Sequence, residues 1–191
     1  MKIYDLPYEI NDIPVISKET MKYHYELYKG YVNNYNLALE KLETARKNSD
    51  YSNIKALEKN LSFQGAGCNL HKMFFENITP NQKTISDKLK NKIINDFESI
   101  EAFYNQFINN ITNIEGSGWG LLGFSKSLDK LIILQAEKHQ NQTIWDFEVI
   151  LAIDIWEHAY YLDYKTDKKN YVTKLFDYIN WDVIEKRLFS N

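Results

Sequence analysis

Residues 147–164 read FEVILAIDIWEHAYYLDY. From Phe147 to Ile155 the stretch is almost continuously apolar and rich in branched side chains, the composition of a buried strand. Asp154, Glu157 and His158 follow at its end, where titratable groups must be hydrogen-bonded, paired or bound to something. Asp154 and His158 are four apart. One helical turn, or a strand end leading into a helix, can therefore aim a carboxylate oxygen and an imidazole nitrogen at a single point. Spacing alone fits two chemistries, an ion-paired couple or two ligands of one metal.

The surrounding chain limits the choices. Its 191 residues can bury a substantial core without disulfide staples. A hydrophobic content of 44% with 15% aromatics excludes a disordered or fibrous chain. A net charge of -3 gives no general attraction to nucleic acid or to an anionic membrane. No apolar run approaches the length of a membrane span, and MKIYDLPYEINDIPV lacks the basic-then-apolar order of a secretory signal. A cytoplasmic protein is expected. Cys68 is the only cysteine, which rules out an intrachain disulfide; its expected role is that of a small buried hydrophobe, although it lies three before His71 and a ligand there is conceivable.

Residues 1–17, with Pro7 and Pro14, predict an extended arm packed on the body. A capping pattern at Ser17 opens a long helix to about Lys47. His24, Tyr28 and Tyr31 share one face of it, and Tyr35 continues that face. A second helix is expected from about Asn53 to Asn77, with KNSDYS as the turn of an antiparallel hairpin. Gly67, His71 and Phe75 face the same way on it. Glycine inside a helix costs about 1 kcal/mol relative to alanine, so Gly65 and Gly67 predict a close approach to the backbone. Pro80 to Thr84 reads as a linker between domains 1–82 and 83–191. One helix is expected from Ser86 to about Thr112. GWGLLGFS and KLIILQAEK, joined by Lys126–Asp129, predict a β-hairpin; Phe147–Ile155 would be the third strand, and the tail from Asp167 a helical, amphipathic one.

Asp154-Ile155-Trp156-Glu157-His158-Ala159-Tyr160-Tyr161 resembles the signature of the iron/manganese superoxide dismutases. Tyr23-His24-Tyr25 ahead of Gly30-Tyr31-Val32-Asn33, and Asn69-Leu70-His71-Lys72-Met73-Phe74-Phe75, resemble two further motifs of that family. The resemblance runs from about Leu6 to Trp181. It implies an α+β fold, with an N-terminal long α-hairpin domain and then an α+β domain carrying a three-stranded antiparallel sheet. It also implies His24, His71, Asp154 and His158 as ligands of one Fe or Mn ion per subunit. Three imidazoles and one carboxylate suit either metal, whereas calcium or magnesium would want more oxygen and structural zinc more cysteine.

By the same resemblance Tyr31 is the gateway tyrosine, and Trp119, Trp156, Phe74 and Phe75 form an aromatic cage. His139 falls where one branch of the family places the partner of the metal's solvent, while Gly67 occupies the competing helix position. Glu157 and Tyr161 match the family's interface pair, which implies a homodimer or a homotetramer built from dimers. A Glu buried beside a ligand would be hard to explain in a monomer.

Two departures stand out. The His24–Tyr31 interval is one residue shorter than the family's, which predicts loss of the π-bulge its first helix carries there. Lys168 stands where the family has an arginine at the mouth of the site, keeping the charge without the planar fork. The reaction implied is conversion of superoxide to dioxygen and hydrogen peroxide. One rival reading is a metal-binding homologue with little or no turnover; another is a non-haem iron oxygenase using two histidines and one carboxylate.

Overall fold

A computed structural model describes residues 1–141 and 144–190. The hairpin helices are α1 (Lys18–Asn48) and α2 (Ile54–Asn77). Ser17 caps α1, its hydroxyl oxygen accepting from Thr20 N at 3.1 Å. The helix stops where Ser49 turns left-handed, φ 50°, after Arg46 and Lys47 in its last turn. The buried face of α1 includes Met21, His24, Tyr28, Val32, Ala38 and Leu42, a stripe at helical spacing that packs on α2. The two glycines of α2 do admit close neighbours: a Cβ on Gly65 would stand 2.8 Å from the Tyr35 ring, and one on Gly67 2.7 Å from the Tyr31 ring.

The N-terminal arm is tied to this hairpin by tyrosines. Tyr28 Oη accepts from Tyr4 N at 2.9 Å, Tyr25 Oη donates to Tyr4 O at 2.9 Å, and Tyr8 Oη donates to Phe75 O at 2.9 Å. Cys68 is fully buried, as a small hydrophobe would be.

The segment expected to form one helix over 86–112 forms two, α3 (Asp87–Phe97) and α4 (Ile100–Thr112). Glu98 breaks it with φ 72°, and Ser99 starts the second helix by accepting from Ala102 N at 2.9 Å. Strands β1 (Gly118–Ser125), β2 (Lys130–Glu137) and β3 (Glu148–Asp154) form an antiparallel sheet of order β2-β1-β3. The third strand is one residue shorter at each end than its apolar run. Gly120 lies against Ile111 of α4, where a Cβ would come within 2.1 Å, so α4 seats directly on β1. After β3 comes α5 (Glu157–Tyr164), and the tail from Asp167 forms α6 (Lys168–Phe176) and α7 (Trp181–Phe189). No helix among the described residues is long and apolar enough to cross a membrane.

Candidate metal centre

Four segments converge between the hairpin and the sheet. His24 comes from α1 and His71 from α2; Asp154 ends β3, paired with Trp119 of β1, and His158 lies in the first turn of α5. The sharp change from strand to helix is held by Asp154 itself, whose Oδ1 accepts from Trp156 N at 2.8 Å. That leaves Oδ2 facing the imidazoles. Its distances to Nε2 are 3.0 Å for His24, 3.6 Å for His71 and 3.3 Å for His158. His71 Nε2 and His158 Nε2 are 3.4 Å apart. All four donor atoms lie within 4.8 Å of one another.

The chemistry of this donor set fits a metal ion. His71 Nδ1 stands 2.7 Å from Gly67 O; a carbonyl only accepts, so Nδ1 carries the proton and Nε2 turns a bare lone pair towards Asp154 and His158. Burial holds the His71 pKa well below its ordinary value and lowers that of His24, so both rings are neutral. Burial alone would push the Asp154 carboxyl up, but His158 and His24 beside it hold it well below the usual carboxylate range. A fully buried carboxylate oxygen within reach of three imidazole nitrogens, one of them the bare Nε2 of His71, is a place where a cation is well held. Donor atoms roughly 2.1 Å from one ion stand about 3 to 4 Å from each other, the range of the three distances from Asp154 Oδ2 and of the His71–His158 distance. A two-histidine, one-carboxylate triad does not describe this group, because His24 adds a third imidazole that is fully buried.

Next to it lies a second cluster. His139 is only 3% exposed, stacked on Trp156 with ring centroids 4.6 Å apart. Its Nδ1 accepts from Trp119 Nε1 at 3.0 Å, and its Nε2 is 2.8 Å from Tyr31 Oη. The indole N–H can only donate, so the neutral ring carries its proton on Nε2 and donates to Tyr31. Burial pushes the His139 pKa down to about 4, which keeps the ring neutral, and burial together with Asp154 raises the Tyr31 hydroxyl to about 12. The Tyr31 ring also lies 4.8 Å from that of His71. Phe74, Phe75 and Trp119 are fully buried and complete an aromatic wall; His24 sits 4.9 Å from Phe74 and 5.1 Å from Phe75, and His71 5.0 Å from Trp119. On the outer side of Tyr31 and Phe63 an open cleft of about 670 Å³ runs along α1 past Tyr23, Leu27 and Gly30.

Glu157 is exposed in the single chain and accepts from Ser117 Oγ at 2.9 Å; Tyr161 is 46% exposed. The α5 helix turns both outward because its buried side is Ala159 and Tyr160. Lys168 donates to Ile114 O at 2.7 Å, so its ammonium is bound to a backbone carbonyl instead of standing free at an entrance. Helix α1 is α-helical from end to end, without a π turn between His24 and Tyr31, as the shortened interval predicts. Phe63, 4.8 Å from the His139 ring, was not among the expected wall residues. Its signal was present, since it lies four before Gly67 on the face that carries His71.

The sequence model described as "Iron/manganese superoxide dismutases, alpha-hairpin domain" matches residues 1–79, and "Iron/manganese superoxide dismutases, C-terminal domain" matches residues 85–187. A superoxide dismutase (Fe) of Pyrobaculum aerophilum is 42% identical over 188 residues, 96% of this chain and 89% of that protein. A superoxide dismutase (Mn/Fe) of Aeropyrum pernix is 38% identical, covering 96% and 88%. A mitochondrial superoxide dismutase (Mn) of Drosophila melanogaster is 38% identical, covering 95% and 85%. The matched profiles take in both the hairpin that supplies His24 and His71 and the strand–helix turn that supplies Asp154 and His158, and the chain belongs to the iron/manganese superoxide dismutase family.

Proposed function

We propose that this protein converts superoxide to dioxygen and hydrogen peroxide, with one Fe or Mn ion held by His24, His71, Asp154 and His158, and with Tyr31 and His139 as its catalytic side chains. The observation that carries this reading is the junction of the four-donor group with the Trp119–His139–Tyr31 hydrogen-bond chain. The metal, when bound, supplies a one-electron couple that accepts an electron from one superoxide and returns it to another. Protons must come from the protein side. Because His139 donates to Tyr31 Oη, the Tyr31 hydroxyl hydrogen is free to point elsewhere, and a hydroxyl with a pKa of about 12 is protonated at neutral pH. Tyr31 is therefore placed to relay the two protons that peroxide needs, one at a time, each replaced from bulk water, and His139 fixes its orientation. The aromatic wall keeps the site dry and admits only small reactants, which strengthens every electrostatic interaction inside.

We place the domain boundary between residues 82 and 83, in the helix-free connection between α2 and α3. The assembly proposed is a homodimer, or a homotetramer of dimers, with Glu157 and Tyr161 at the contact. An exposed carboxylate and tyrosine one residue before and three after a metal-binding histidine suit a symmetric contact that reaches the partner's site. Glu157→Ala is expected to give monomers at micromolar concentration by analytical ultracentrifugation, and a wild-type monomer with full activity would overturn this assembly.

The central test is reconstitution with iron and with manganese separately, followed by superoxide decay in stopped flow. Catalytic decay with at least one metal is expected. Stoichiometric metal without turnover would instead favour a metal-binding homologue, the outcome to which the shortened His24–Tyr31 interval and Lys168 would then be traced.

A further inference from the structure

Besides the metal-binding group, α2 and β3 are joined at a second place. β3 is an edge strand of the sheet, so alternate carbonyls along it face away from β1 and need partners from elsewhere. Asn77, the last residue of α2, is fully buried, and its Nδ2 donates to Ala152 O at 3.1 Å. Arg187 of α7 completes the seam. Its Nη1 donates to Ile150 O at 2.7 Å and to Asn77 Oδ1, and its Nη2 donates to Glu76 Oε2 at 2.5 Å. The main chain continues the same seam, with Asn180 N donating to Asn77 O at 2.7 Å and Ile78 bridged to Ile179.

The positions matter. Asn77 lies six residues beyond His71 on one helix, and Ala152 lies two before Asp154 on one strand. Both connections are rigid elements, so the seam sets how far the His71 ring stands from the Asp154 carboxylate. A guanidinium is needed because its planar fork can serve Ile150 O, Asn77 Oδ1 and Glu76 at once, which a lysine ammonium on a flexible stem cannot do with the same directionality.

We propose that Arg187 and Asn77 are positioning residues for the metal centre: by locking the end of α2 to the open edge of β3 they fix the His71–Asp154 separation. This rests on the metal reading above. Loss of the seam is expected to act on the metal more than on the fold, because outer supports of metal ligands typically change affinity 10- to 100-fold.

The experiment uses the full-length manganese-loaded and iron-loaded protein. Metal release to excess chelator and the visible absorption band of the oxidised manganese form would be measured for the wild type, Arg187→Met, Asn77→Leu and Arg187→Lys. The control is Leu42→Ala, a buried residue of α1 eighteen residues from His24, or about 27 Å along the helix. Release at least about tenfold faster for Arg187→Met and Asn77→Leu, with a shifted band, is expected. Leu42→Ala should leave both readouts at wild-type values even where it lowers the melting temperature of the metal-free chain as much. Arg187→Lys should fall between, and if Arg187→Met does not fold, the lysine variant decides. Release rates and spectra that follow melting temperature alone, identically in variants and control, would overturn the positioning role while leaving the metal site intact. A wild-type protein that took up neither metal would overturn the metal reading, and the seam's role with it.

Discussion

The two halves of the metal centre are built by different means. Asp154 and His158 are four residues apart, at a strand end and the helix that follows, and their geometry is fixed locally. Asp154 is held in register opposite Trp119 and by its own bond to Trp156 N. His24 and His71 stand on separate helices, and only the packing of α1 on α2 brings them together. The close approach of Tyr31 to Gly67 shapes that packing near the site, and the bond from His71 Nδ1 to Gly67 O within α2 orients the ring. The strand–helix half therefore resists change through backbone hydrogen bonds, whereas the hairpin half depends on a fit that one methyl group can disturb.

The largest expected effect comes from removing a donor of the packing-dependent half. His71→Ala deletes the lone pair facing Asp154 and His158, and the protein is expected to purify without stoichiometric iron or manganese by elemental analysis. Its melting temperature should then no longer rise on adding metal. In the wild type the stabilisation is about 2.7 kcal/mol when free metal is a hundred times the dissociation constant. One metal per chain in this variant would show that the hairpin does not contribute to the site.

A smaller effect is expected one step out, where the halves meet through His139. His139→Ala removes the donor to Tyr31 and leaves all four metal-binding side chains in place. Metal content should stay near one per chain while turnover falls at least about tenfold, the lower end for loss of an outer partner. Tyr31→Phe should give a similar loss, and the double variant should fall no further, because the two act as one chain. Additive losses would mean that His139 and Tyr31 work independently.

The same difference between halves explains what could be read before the fold was known. The Asp154–Tyr161 string carries a strand end, a helix start and an Asp–His pair in eight consecutive residues, so the local turn was legible from pattern, while the choice between an ion pair and two ligands came from likeness to a family. His24 and His71 each looked like a single histidine on an apolar helix face, and only likeness to a family joined them. Gly67 was legible as a close approach, since mid-helix glycine needs a cause, but the approaching Tyr31 was not. The break at Glu98 was hidden because a glutamate seldom adopts positive φ and gives no turn signal there. Glu157 and Tyr161 face outward in the single chain, and which side of a short helix faces out depends on tertiary packing that periodicity over eight residues does not resolve. The Asn77–Arg187 seam spans 110 residues of sequence; no local rule points to it.

The finest contrast lies within α1 and α2 and compares two glycines. An alanine at Gly67 would place Cβ 2.7 and 2.8 Å from ring atoms of Tyr31, closer than carbon atoms can stand. That ring cannot yield freely, being bonded to His139 at 2.8 Å and packed on His71. Overpacking of this kind costs about 1–3 kcal/mol, and the gain in helix propensity of about 1 kcal/mol does not cover it at the upper end. Gly30 is the next residue before Tyr31 and also inside a helix, yet nothing lies within 4 Å of its absent Cβ. There alanine meets no obstacle and the propensity gain stands alone, about 0.5–1 kcal/mol. In a chain of this length 1 kcal/mol shifts the melting temperature by about 2–4 °C. Gly30→Ala is therefore expected to raise the metal-free melting temperature by up to that amount with turnover unchanged, while Gly67→Ala lowers turnover and fails to gain stability. If both glycines responded alike in calorimetry and in superoxide decay, the Tyr31–Gly67 contact would not be what fixes the hairpin half of the site.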